Sequence, residues 1–284
     1  MASMRDIKRR KGSIQSTQQI TKAMKLVSTV KLMRARQIAE QSVSYFSGMY
    51  ETVTSILEKT LNMKHPYLDG GKTGKKAVIV ITSNRGLAGG YNANIVKLVT
   101  ANFSKEDTVI YAIGKKGRDT LKRLGYEVVL DTSHIVEEPS YADALALSKQ
   151  LLSSFTKGET SQIHLIYTLF KNTISYVPTM LRLLPVQMPV KEKEEGKAQV
   201  LMNFDMDDED ALNLIIPKYI TSLIYGGLVE SKASENGARM QAMDSAVSNA
   251  QEIIEDLTLM YNRARQGSIT QELTEITAGA NAIS

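Results

Sequence analysis

Between Met240 and Ala264 the apolar residues Met240, Met243, Val247, Ala250, Ile254, Leu257, Tyr261 and Ala264 fall at alternating steps of three and four, a heptad repeat. A stripe of that kind belongs to a coiled-coil helix and has to be buried against a second helix. Ala250 and Ala264, with Ala246 beside them, let the partner backbone come close, so neither a membrane nor a cofactor is needed to explain the stripe. The acidic run Asp205–Asp210 suits a helix start, where carboxylates meet the positive end of the dipole. Pro217 and Gly226–Gly227 are the expected kinks. A helix from about Asp208 to about Ile276 would be ~100 Å long, against a radius of gyration of only ~19 Å for a compact chain of this size. Such a helix is expected to protrude.

Its partner is expected at the other end of the chain. From Ser3 to about Leu61 there is no proline, and Ser3 with Asp6 three residues on reads as a helix cap. His65–Pro66 ends the segment. Ile20, Met24 and Val27, then Val30, Met33 and Ile38, read as its apolar face, drifting among Lys31, Arg34 and Arg36. A compact middle returns the chain, so the two terminal helices should run antiparallel.

That middle alternates strand and helix. Strands are expected at Ala77–Thr82, Thr108–Ile113 and Ile163–Leu169, and helices at Tyr91–Phe103, Lys116–Leu124 and Tyr141–Phe155. The charged run Lys191–Gly196 reads as an exposed turn before Gln199–Asn203. The fold class is therefore α/β: a long antiparallel coiled coil of N- and C-terminal helices, plus a Rossmann-like domain with a mainly parallel sheet. The expected divisions are 1–65 for the first helix, 75–205 for the globular domain and 207–284 for the second helix.

The net charge of +5 is uneven: residues 1–36 hold ten Lys/Arg and one acid, while the remainder holds 25 basic and 29 acidic residues. Such an arm is either a solvated helix face or meets something acidic, whether nucleic acid, a membrane surface or a protein. A basic coiled-coil adaptor that binds nucleic acid is thus the alternative reading. Against it, Tyr45, Phe46 and Tyr50 all lie beyond the arm, which has no aromatics to interleave with bases. No stretch approaches the ~18 consecutive apolar residues of a membrane-spanning helix. There is no apolar leader core near the N-terminus either, so the chain is expected to stay in the compartment that makes it.

Chemistry is sparse. With no cysteine there are no disulfides, thiolate metal sites or thiol nucleophiles. His65, His134 and His164 are isolated from carboxylates at ligand spacing, and none sits in a nucleophile context, so no metal is expected. Glu137–Glu138 and Asp207–Asp210 read as loop or cap carboxylates. The run Asn84–Arg85–Gly86–Leu87–Ala88–Gly89–Gly90 stands between a strand and a helix, where a phosphate loop would be, but its spacing is not G-x-G-x-x-G. Gly71–Lys72–Thr73 lacks the earlier glycine of a Walker loop, Pro66 standing there instead, and follows a helix. A nucleotide-dependent enzyme built on the middle domain is a third reading. The expectation is no catalytic site and no cofactor.

Two terminal segments carry a resemblance. Asp6–Ile7–Lys8–Arg9–Arg10 and Thr17–Gln18–Gln19–Ile20–Thr21–Lys22–Ala23–Met24–Lys25–Leu26–Val27 look like the start of the γ subunit of F-type rotary ATP synthases, bacterial type. Ser234–Met243, the run Tyr261–Leu273 and Glu275–Ile276 resemble that family's C-terminal signature, and Ser83–Asn92 is similar to its Ser-Asp-Arg-Gly-Leu-Cys-Gly turn. The resemblance covers essentially the whole chain in order. It implies a non-catalytic central stalk, or rotor shaft, of a proton-translocating ATP synthase, whose helices enter the ring of α and β subunits. Its partners would be α, β, the ε subunit and the membrane ring of c subunits, with no nucleic acid and no direct membrane insertion. It would sit peripherally on the cytoplasmic face of the cell membrane.

Residue by residue, the resemblance places Arg265 and Gln266 against a loop of a β subunit, with Arg263, Thr270 and Glu272 in the same motif. It places Lys22, Met24 and Lys25 opposite the acidic lever of β, and Met202–Asp208 at the foot on the membrane ring. Ala88 stands where many relatives carry cysteine, and no thiol pair is present, so the redox control of plastid relatives is expected to be absent.

Overall fold

A computed structural model describes residues 3–59, 65–69, 74–173, 175–186 and 208–283. The chain forms two compact units, one of residues 1–29 with 239–284 and one of residues 30–238. Two long helices contribute to both: α1 over Met4–Lys59 and α6 over Asp208–Ile283. The Gly71–Thr73, Lys191–Gly196 and Gln199–Asn203 readings, and the Met202–Asp207 part of the foot, lie outside the described residues.

In the first unit the helices are antiparallel. Gln18 Nε2 donates to Gln251 Oε1 at 3.0 Å, and Lys25 Nζ meets Asp244 Oδ1 at 2.5 Å. Seven residues forward on α1 thus match seven back on α6. The α6 stripe faces inward as its heptad requires: Met243, Ala250, Ile254 and Leu257 are buried and Met240, Val247, Tyr261 and Ala264 half-buried. The α1 start is capped as expected, the Ser3 hydroxyl donating to the Asp6 carboxylate at 2.9 Å and accepting from its backbone N–H.

The apolar face expected on α1 is corrected. Ile20 and Val27 are 63% and 57% exposed, and Val30, Met33 and Ile38 are also exposed; of the expected set only Met24 is half-buried. The inward positions are instead Ile7, Lys11, Ile14, Gln18, Thr21, Lys25 and Ser28, which keep a three-four rhythm but are largely polar. Hydrophobicity therefore marks the wrong face over residues 18–28: the seam there holds hydrogen-bonding groups and methylene stems, while Ile20, Leu26 and Val27 point outward.

The second unit is built on a five-stranded sheet ordered β3-β2-β1-β4-β5. Its strands are β1 Lys75–Ile81, β2 Thr108–Ile113, β3 Glu127–Asp131, β4 Thr160–Phe170 and β5 Tyr176–Leu184. The first four pair in parallel and β5 runs antiparallel to β4. The helices are α2 Pro66–Asp69, α3 Tyr91–Asn102, α4 Lys115–Arg123 and α5 Tyr141–Thr156, with a 3-10 turn at Ser133–Val136. Both edge strands escape the sequence pattern. β3 has only five residues, and β5 carries Pro178, which only an edge strand tolerates in this way.

One face of the sheet packs Ile95 and Val99 of α3, Phe103 just after it and Leu121 of α4 over Val78, Val80 and Ile110. The other packs Leu147 and Leu151 of α5, Val53 and Ile56 of α1, and Leu212, Ile216, Ile220, Ile224 and Leu228 of α6 over Ile79, Ile81 and Leu165. α6 passes through Pro217 and Gly226–Gly227 as one helix. It also contains an 18-residue window with a mean hydropathy of 1.3, long and apolar enough to count as a membrane-span candidate; half of that window is buried inside the protein.

Candidate functional site: a helix pair and a closed crevice

All eight residues singled out for subunit contact, Lys22, Met24, Lys25, Arg263, Arg265, Gln266, Thr270 and Glu272, lie in the first unit. They do not form one site. The observed pairing puts Lys22–Lys25 alongside residues 244–247, whereas the Arg263–Glu272 group begins about 16 residues, or ~24 Å, further along α6. Lys22, Arg263, Arg265, Gln266, Thr270 and Glu272 are exposed. Lys25 is engaged with Asp244, its side chain 40% exposed, and Met24 is half-buried beside it. On α6, Gln266 and Thr270 are one turn apart, and the Thr270 hydroxyl donates to the Gln266 carbonyl at 2.9 Å.

The chemistry this surface offers is charge and exposed apolar area. Along α1 the outward Ile20, Leu26 and Val27 stand among exposed Arg5, Lys8, Arg9, Arg10 and Lys22. Near the end of α6, Ile269, Leu273 and Ile276 are exposed at four- and three-residue spacing. Apolar rows on a surface helix mark contact with something outside the chain. Sequence reasoning placed Ile20 and Val27 in the inward apolar face and did not include Leu26 in it. The signal that separates the two cases is the polar three-four row through Gln18, Lys25 and Ser28.

In the second unit, the sheet reverses its winding between β1 and β4, the position at which open α/β sheets bind nucleotides. Here α6 fills that place. The Tyr91 hydroxyl donates to the Ser231 carbonyl at 3.2 Å, the Thr168 N–H donates to the Ser231 hydroxyl at 3.2 Å, and the Ser234 hydroxyl donates to the Thr168 carbonyl at 3.1 Å. Gly227 lies so close to the sheet that a Cβ there would stand 3.0 Å from Leu165.

The polar residues that open the glycine-rich loop are tied to the loop itself, to α3 and to the Ser133–Val136 turn. The Ser83 N–H donates to Asn92 Oδ1, the Ser83 hydroxyl to the Arg85 carbonyl, and the Asn84 amide to the Ser133 carbonyl. Gly89 and Leu87 both take positive φ, 54° and 61°, turning the backbone into α3.

Charge gathers beside this crevice at Glu137. Burial works to raise its pKa, but Lys232, Lys31 and Arg85 outweigh that and hold it below the ordinary value. Lys232 and Lys31 approach it to 3.7 and 3.8 Å, so one loop carboxylate touches side chains from both α6 and α1. His65 meets Asn213 at 3.2 Å, and His164 is buried on β4 against the edge of Phe103. Among the described residues no cluster of three metal-ligating side chains occurs.

The profile of the ATP synthase family matches residues 3–283. The chain is 60% identical to the ATP synthase gamma chain of Lachnoclostridium phytofermentans, with the whole of both chains covered. It is 42% identical to that of Alkaliphilus metalliredigens over 99% of this chain and 98% of the relative. It is 39% identical, over 99% of each, to a gamma chain of Acetobacterium woodii described as sodium ion specific. Among solved structures it is similar to the central stalk and c-ring of the Tetrahymena thermophila mitochondrial ATP synthase, with 25% identity and TM-score 0.56, over 80% of this chain and 99% of that one. The Euglena gracilis mitochondrial ATP synthase matches at 18% identity and TM-score 0.66, over 99% and 94%, a likeness of fold.

Proposed function

This chain belongs to the ATP synthase γ-chain family, and from that membership we propose that it is the central stalk of a rotary ATP synthase, coupling ion flow through a membrane ring to ATP synthesis and hydrolysis on the β subunits. It is a component of an ATPase complex associated with the membrane. Its partners are the α and β subunits, the ε subunit and the c-ring. The helices α1 and α6 serve as the shaft and the sheet domain as its head, held peripherally at the cytoplasmic face.

The observation that carries this reading is an α/β domain of nucleotide-binding type whose binding crevice is filled by a long helix paired with the opposite end of the chain. Such a chain transmits; the chemistry belongs to its partners, and it has no catalytic site of its own. Charge attraction between the basic face of α1 and acidic levers varies smoothly with angle, because it is screened only beyond ~8–10 Å. Directed hydrogen bonds from Arg265 and Gln266 add preferred angles. Lys22 extends the attraction. Met24 and Lys25 back it from the seam, and Arg263, Thr270 and Glu272 flank the directed contacts.

The test is reconstitution with α and β subunits. One copy of this chain per three αβ pairs is expected, and Arg265→Ala with Gln266→Ala should lower ATP-driven ion pumping per ATP hydrolysed. A double variant that assembles and couples normally overturns the role of those two residues. Failure of the chain to associate with α and β overturns the stalk reading itself.

A further inference from the structure

One carboxylate of the second unit takes part neither in pairing the helices nor in closing the crevice. Glu230 of α6 lines a cavity of about 360 Å³, together with Arg36, Glu40 and Phe46 of α1 and with Phe170 and Lys171 at the turn between β4 and β5. Its Oε2 is buried and has no hydrogen-bond partner among the described residues. The other acid of the cavity, Glu40, already accepts from Arg36 Nε at 2.7 Å. Burial pushes Glu230 up to about 7. Tyr167 of β4 is pushed up to about 12, by burial and then by the Glu230 charge.

We propose that this cavity binds a small organic cation, a primary ammonium on an aromatic or short aliphatic stem, with Glu230 as its counter-ion and Phe46 and Phe170 as its apolar walls. The volume lies within the range of small-molecule pockets. An ionised carboxylate held out of water is costly until it is paired, and an ammonium supplies the pairing. Aromatic rings add their own attraction for the cation. The cations already in the cavity leave this role open: Arg36 is committed to Glu40, and Lys171 is exposed at the turn. A single carboxylate with aromatic walls does not suit a divalent metal, which wants several oxygen ligands. The proposal does not depend on the stalk reading.

Phenethylammonium chloride titrated calorimetrically into the full chain tests it. At pH 8 it should bind at millimolar concentrations. At pH 5.5, where Glu230 takes up a proton, binding should weaken about tenfold or more; Arg36, Glu40, Lys171 and Tyr167 are the other charged or ionisable groups around it. The uncharged analogue phenethyl alcohol should not bind. Glu230→Gln, which removes an uncompensated charge and should fold at least as well, ought to abolish the heat. Gly226→Leu, which crowds Phe46, should block the cavity with Glu230 in place. Absence of heat at pH 8, equal binding by Glu230→Gln, or equal binding of the alcohol overturns the proposal.

Discussion

His164 shows how a single buried side chain ties stability to pH. Burial lowers its pKa first, and positive Arg182 and Lys76 add to the effect, bringing it down to about 4 from 6.5. The folded state therefore favours the neutral ring, and the unfolded chain takes up the proton first. Stability from this group is complete above pH 6.5 and is lost as pH falls from there towards 4. His164→Gln should flatten that part of the profile, read by urea unfolding at pH 7 and pH 5. Gly114 is fixed by geometry instead: its φ is +109°, and a Cβ there would lie 2.1 Å from the Thr82 carbonyl oxygen. Thr82 also accepts the Gly117 N–H on its hydroxyl at 2.9 Å, so the backbone has no room to retreat. Gly114→Ala should cost about 2–4 kcal/mol in the same measurement.

The two long helices carry opposite codes. Along the Met240–Ala264 stripe of α6, burial follows the heptad, and Leu257→Ala should destabilise the isolated chain by about 2–3 kcal/mol. Over residues 18–28 of α1 it does not, and Val27→Ala should cost below about 0.5 kcal/mol in the isolated chain while weakening assembly with α and β, measured by reconstitution titration. This contrast marks what the sequence could disclose. The α6 heptad was legible because its partner is another part of the same chain. The α1 seam was not, because Ile20 and Val27 are exposed while polar Gln18 and Ser28 occupy the inside. β1, β2 and β4 read as strands because burial on both faces makes them continuous apolar runs. β3 alternates exposed and half-buried positions, and β5 includes proline, so neither stood out. Among the candidate site residues, their presence on the terminal helices was legible. The engagement of Lys25 with Asp244 was not, since it depends on a register that no periodicity specifies.

For the whole molecule, α6 occupies the crevice that the sheet order would otherwise offer to a nucleotide. Titration of the full chain with ATP or NAD should give no heat at millimolar concentrations, and a measurable affinity would show that α6 can leave the sheet. The basic arm predicts a separate, weaker property: any DNA binding by the isolated chain should collapse as salt rises from about 50 to 200 mM, because it rests on counter-ion release alone. The pairing of Gln18 with Gln251 spans 233 residues of chain. A growing polypeptide must therefore expose α1 throughout synthesis of the sheet domain, with its mate not yet made. Contacts of such sequence separation form late and slowly. Until then the outward Ile20, Leu26 and Val27 have only water or a chaperone to meet, so the newborn chain should be most prone to aggregate through that exposed apolar row.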